Sequence, residues 1–215
     1  MARAAFADES PFPIGQLAAA AVLCRTQHGN LHMGVIYRGR GKKSEFLHLA
    51  WDDDLSRDWE ADWRYLWASP EVEPERLRAM GGLCRQVWRR YQEDRRFAYA
   101  LSYGGTTFDV SGRVVLGPNA RGLTCATFVL ALFRYFGIEL VDETSWPVRT
   151  KDDRKFLRQV APFTKPEHLA ILKSEVDAGC RRIRPEEALG ACAIVELPAS
   201  FEAIRPHAEE ILSRI

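Results

Sequence analysis

Cys125 opens an apolar run, Cys-Ala-Thr-Phe-Val-Leu-Ala-Leu-Phe-Arg-Tyr-Phe, that begins after Gly122 and ends at Gly137. Apolar residues recur at helical spacing at Phe128, Val129, Leu132, Phe133 and Phe136. Thr124 is a helix-capping residue, and Gly137 stands where a left-handed residue ends a helix. Cys125 therefore falls in a helix's first turn, where free N–H groups and the macrodipole favour negative charge. A thiol there, with a cation nearby, is expected to have its pKa lowered to roughly 3.5 to 7.5 and to act as a nucleophile. The competing reading is an inert core cysteine, because cysteine is among the most buried residue types.

A nucleophile needs a base, and the base needs an orienting group. The chain has five histidines: His28, His32, His48, His168 and His207. His168 and His207 fall on polar segments that read as surface helices with no evident role. His28 falls in a turn. His32 and His48 each sit within an apolar strand pattern. A single histidine there is usually a satisfied core residue, but two in neighbouring strands, with a cysteine helix to pack on them, form a candidate acid–base pair. Zinc bound by His28, His32 and His48 would follow no familiar ligand spacing. No metal and no cofactor is expected.

The elements that must position these residues follow from the pattern. Leu17 to Arg25, Leu31 to Arg38 and Glu45 to Trp51 read as three strands of an antiparallel meander, the first two joined by a turn at Gly29-Asn30. The first of these is alanine-rich, so a helix start remains open. Residues 1–15 read as an arm. The loop Arg38-Gly-Arg-Gly-Lys-Lys43 lacks the ending of a phosphate-binding loop and reads as a solvated turn. Asp52-Asp53-Asp54 reads as the acidic start of a helix carrying Trp59, Trp63 and Trp67, with a divalent-cation site as the alternative. A long amphipathic helix is expected over Glu75 to Arg96, with Arg78, Arg85, Arg89 and Arg96 beside its apolar stripe. Phe97 to Tyr103 reads as a strand, and Phe108 to Leu116 as a short hairpin. Four helices are expected after Trp146, from Lys151, Pro166, Pro185 and Phe201.

The 30 basic and 29 acidic side chains nearly cancel in a chain of 215 residues, which argues against a general nucleic-acid binder. No apolar run approaches the length of a membrane-spanning helix, and no export signal is evident. The five cysteines are scattered without paired spacing, which suits a reducing compartment; a cytoplasmic location is expected.

Three blocks resemble a known family. His32-Met-Gly-Val-Ile-Tyr-Arg-Gly39 is similar to the first histidine strand of the lecithin:retinol acyltransferase-like proteins, circularly permuted relatives of the NlpC-type, papain-like enzymes. Phe46-Leu-His48-Leu-Ala50 resembles their second histidine strand. Thr124-Cys-Ala-Thr-Phe-Val129, with Arg134-Tyr-Phe-Gly137, resembles their cysteine helix, and the order His, His, Cys is the permuted one. The blocks cover about a fifth of the chain. The resemblance implies an α+β fold, an antiparallel meander packed against a cysteine-bearing helix, with residues 1–145 as catalytic core and 146–215 as a helical extension of the same domain. It implies a triad: Cys125 as nucleophile, His32 as general base, His48 orienting His32. A cysteine-dependent hydrolase or acyltransferase acting on a peptide, amide or lipid-ester substrate through a thioester acyl-enzyme would follow. The chain departs from the family in carrying Ala126-Thr127 where the family has Glu-His, and it shows no membrane anchor. A papain-like fold without catalysis, binding a protein partner through the arginine face of the long helix, is the alternative from another class.

Overall fold

The computed structural model describes residues 5–6, 12, 17–26, 29–39, 43–58 and 65–215. The chain is α+β. Strands β1 (Ala5–Phe6), β2 (Ala19–Arg25), β3 (Leu31–Arg38), β4 (Ser44–Trp51), β5 (Asp54–Asp58) and β6 (Tyr65–Ala68) form one antiparallel sheet in the order β1-β6-β2-β3-β4-β5. β2 and β3 are apolar almost throughout because both faces of the sheet are covered. Ala19, Ala21, Leu23, Met33, Val35 and Tyr37 enter the main core, whereas Ala20, Val22, Cys24 and Ile36 join a second cluster with Phe12, Phe46 and Tyr65. The expected N-terminal arm lies mostly outside the described residues; of it, Ala5–Phe6 pairs with β6.

The expected helix after Asp52 does not form. Asp52 and Asp53 make a turn, with Asp53 at φ +54°, and the chain returns as β5. Trp67 lies in strand β6, while Trp59 and Trp63 fall outside the described residues. The acids serve the backbone instead: Asp53 Oδ1 accepts the Phe97 N–H at 2.7 Å and Asp52 Oδ1 accepts the Tyr99 N–H at 3.1 Å. This also explains why Phe97 to Tyr103 is extended without being a strand. Four of its donors go to carboxylates rather than to a ladder, since Glu175 also takes the N–H groups of Leu101 and Ser102 at 2.8 and 3.2 Å.

Helix α1 (Pro74–Asp94) begins with proline, buries Leu77, Met80, Cys84, Val87 and Tyr91, and ends at Arg95 in the left-handed conformation. β7 (Thr107–Phe108) and β8 (Val114–Val115) form the expected hairpin. Helix α2 (Cys125–Tyr135) is buried from Cys125 through Phe133 and packs on β3 and β4. Its approach depends on Gly122: a Cβ there would stand 2.2 Å from the Ala98 carbonyl oxygen. That contact lets Leu123 bond both ways with the 97–103 segment, donating to Ala98 O at 3.0 Å and accepting from Ala100 N at 3.3 Å. Helices α3 (Thr150–Val160), α4 (Pro166–Asp177), α5 (Pro185–Ala191) and α6 (Phe201–Arg214) follow, and α5 packs on β2, β3, β6, α2 and α6. One core cluster runs from Ala19 to Ile211. Among the described residues no helix is long and apolar enough to cross a membrane.

Candidate active site

The cysteine helix starts as its sequence requires. Thr124 Oγ1 accepts the Thr127 N–H at 3.1 Å, and Thr127 Oγ1 accepts the Thr124 N–H at 2.7 Å, closing a capping box. Thr127 thus has a structural task, and both it and Ala126 are fully buried. Phe128 N–H begins the intrahelical ladder by donating to Thr124 O. The N–H groups of Cys125 and Ala126 are left over at the helix start, and they and the N–H of Met33 act on the Cys125 thiol to lower its pKa.

Met33 follows His32, so the sulfur abuts β3 one residue from the candidate base. The β3–β4 ladder covers Val35↔Leu47 through Arg38↔Ser44, while β4 continues along β5 with His48 opposite Ser56. The sulfur therefore meets β3 in the stretch that β4 has left. His32 and His48 project from the same sheet face, beside Phe46, whose ring stacks on His48 at 4.7 Å between centroids. His32 Nε2 and His48 Nδ1 are 2.7 Å apart, both rings nearly buried. Gly34 makes room for this pair: a Cβ there would lie 2.7 Å from His48 Cβ and 2.6 Å from the Phe46 ring.

The structure brings His32 and His48 into hydrogen-bond contact and sets Cys125 against the neighbouring backbone. The two imidazoles lie on the sheet face opposite the side chains of Met33 and Val35, which pack with α2, and no hydrogen bond joins the sulfur to either ring. His28 lies outside the described residues. Among the described residues no three histidine, cysteine or acidic side chains converge as a metal site.

The electrostatics correct one expectation. Burial pushes the Cys125 thiol above its ordinary value, outweighing the three N–H groups and the charge of Arg182, which pull the other way. Helix position alone does not make a thiolate when the sulfur is desolvated. Cys125 still differs from its siblings: Cys192 feels burial alone, and Cys24 is pushed up to about 12 by burial and by Cys125 itself. Arg182 was not singled out in the sequence; it stacks on Phe156, 3.7 Å from the ring centroid, and faces Asp153 at 3.5 Å. His168 is also corrected. It is buried, not a surface residue, with Nε2 donating to Tyr99 O at 2.7 Å and Nδ1 facing Asp52 at 3.4 Å. It fastens α4 to the segment that holds Leu123.

Burial first, and the His48 charge second, lower the His32 pKa from 6.5 to about 3. The unfolded chain therefore takes up this proton more readily than the folded one. His32 contributes its full stabilisation above pH 6.5, and the contribution is lost progressively as pH falls towards 3. Urea unfolding at steps from pH 7 down to pH 4 should show a falling free energy, with a shallower fall in His32→Gln. Equal slopes in the two proteins would contradict this assignment.

On α1, Arg78 pairs with Glu75, Arg85 donates to the Arg38 carbonyl at 3.3 Å, and Arg89 donates to Gln86 at 3.1 Å. Comparison with protein-family models, with curated proteins and with solved structures returns no match.

Proposed function

We propose that the chain is a cysteine-dependent acyl-transfer enzyme of permuted papain-like type, acting on an amide, ester or thioester. The observation that carries this reading is the buried His32–His48 contact at 2.7 Å, one residue from the backbone N–H that faces Cys125. His32 commits Nε2 to His48, and the ring lies on the sheet face away from α2, so this reading requires it to turn at the β3 edge for Nδ1 to reach the thiol. When His48 Nδ1 accepts, His32 carries its proton on Nε2 and Nδ1 holds a lone pair. At neutral pH His32 is unprotonated, but a pKa of about 3 makes it a weak base, so the proton transfer in this reading depends on a bound substrate that changes the surroundings of the ring. The Sγ–H proton passes to Nδ1 as sulfur bonds to the acyl carbon. The N–H groups of Cys125 and Ala126 stabilise the oxyanion. The leaving group takes the proton from the imidazolium, and water or another acceptor then cleaves the thioester. Residues 1–145 form the catalytic core in this reading and 146–215 the helical extension.

A second reading, a papain-like fold that binds a partner without catalysis, is favoured by the raised Cys125 pKa and by the unmade sulfur–imidazole bond. Peptide mass spectrometry after brief exposure to p-nitrophenyl acetate separates the two. The enzyme reading expects one acetyl group on Cys125, absent from Cys24, Cys84, Cys180 and Cys192, and lost in His32→Ala. An unlabelled Cys125, or labelling indifferent to His32→Ala, would move the assignment to the binding reading.

A further inference from the structure

A second region of the molecule carries recognition chemistry that the thiol site does not use. A cleft of about 680 Å³ lies between the loop 118–121, the 3-10 turn Glu143–Ser145 and the C-terminal end of α4 with the turn that follows it. Arg121 and Arg181 both line it. Each guanidinium is fixed by one bond to a neutral acceptor: Arg121 donates to Ser174 Oγ at 3.3 Å, and Arg181 Nε donates to the Trp146 carbonyl at 3.1 Å. Neither arginine has a carboxylate partner among the described residues. This sets them apart from Arg134, Arg149, Arg154 and Arg184, which are all paired with acids.

The cleft also holds Glu143 and Glu175. Bonds to backbone N–H groups do not cancel their charge, but they hold these carboxylate oxygens turned to the backbone rather than to the arginines. Glu175 is buried and spends both oxygens on the N–H groups of Leu101 and Ser102, and Glu143 Oε1 accepts the Gly104 N–H at 3.1 Å. The acids are tied into the backbone of the 101–104 segment, while the remaining arginine donors are left to the cleft. We propose that this cleft is a binding site for a small organic anion, a carboxylate or phosphate that takes the remaining donors of Arg121 and Arg181. Guanidinium groups suit either anion, because parallel N–H donors match two of its oxygens.

The site stands independently of the acyl-transfer reading, although it adjoins that region through the chain. Arg121 is four residues before Cys125, and Arg181 precedes the Arg182 whose charge acts on the thiol.

The test is titration calorimetry of the full chain with inorganic phosphate and with succinate at low ionic strength, together with side-chain Nε–H NMR signals of the arginines. Saturable binding is expected for at least one anion, and the tighter one identifies the anion class. Arg121→Gln and Arg181→Gln should each weaken binding about tenfold or more, as expected for losing charged hydrogen bonds, without changing the melting temperature. Arg113→Gln, outside the cleft, should bind as the wild type does. Absence of saturable binding by both anions, or binding that survives both cleft substitutions, would overturn the proposal. Acetylation of Cys125 is a separate readout, so failure of either idea leaves the other standing.

Discussion

Cys125→Ala is expected to reduce p-nitrophenyl acetate hydrolysis to the uncatalysed background while the protein keeps its fold. The sulfur sits at a helix start that is secured independently of it by the Thr124–Thr127 capping box. Removing it should therefore cost only about 1 kcal/mol of stability. His32→Ala removes the base, and a loss of about 10²–10⁴-fold is expected. The two groups act in one step, so the double variant should be no worse than Cys125→Ala alone. The pH profile gives an independent check. With its pKa lowered to about 3, His32 stays unprotonated through the mildly acidic range. The rate should show no acid limb near the ordinary histidine value of about 6.5. The thiol, raised by burial, keeps the thiolate scarce at neutrality, and the rate should go on rising into alkaline solution. Full activity in Cys125→Ala would remove the nucleophile assignment. An acid limb near neutrality would mean that His32 titrates in the working enzyme and that burial does not hold it neutral.

Much of this site is legible in the sequence because it rests on local signals. Thr124 ahead of an apolar 3.6-residue period and Gly137 behind it mark α2 to within a residue of its observed end. The meander is equally plain, since Leu31 to Arg38 is bounded by turn chemistry on one side and a glycine-rich loop on the other. The failures are all places where a distant partner decides. Asp52 and Asp53 look like helix-start acids until Phe97 and Tyr99 present their N–H groups. Phe97 to Tyr103 has strand composition, but side-chain carboxylates take the place of a neighbouring strand. His168 sits in a polar stretch whose one inward position is visible only after α4 has docked. The thiol's titration departs from what the helix position implies for the same reason. The helix-terminus effect is local and readable, whereas desolvation depends on how completely the rest of the chain covers the sulfur. Arg182 carries no motif and becomes relevant to Cys125 only through the docking of the C-terminal helices.

Glu187→Ala is expected to be the most destabilising single change in that C-terminal region, by about 3–5 kcal/mol, because it strands a buried cation. Glu187 is buried at the third position of α5. Its carboxylate takes both terminal nitrogens of Arg149, with Nη2 at 3.0 Å, the Trp146 Nε1–H at 3.0 Å and the Arg184 N–H at 2.8 Å. Burial alone would raise its pKa, but the Arg149 bonds and charge, with the other two donors, prevail and lower it. The folded state therefore gains from the ionised form above the ordinary carboxylate range and loses that gain as pH falls below it. Alanine leaves Arg149, Trp146 and the first turn of α5 unsatisfied at once, and α5 is the helix that packs on β2, β3 and α2. Urea unfolding of Glu187→Ala, Arg149→Ala and the double variant would measure the coupling, and the double should be less destabilised than the two singles added together. For a chain of this size the single variant should melt lower by about 2–4 °C for each kcal/mol lost. Additive losses would mean that the two side chains stabilise the fold independently. In that case the ion pair would not be what anchors α5 behind the cysteine helix.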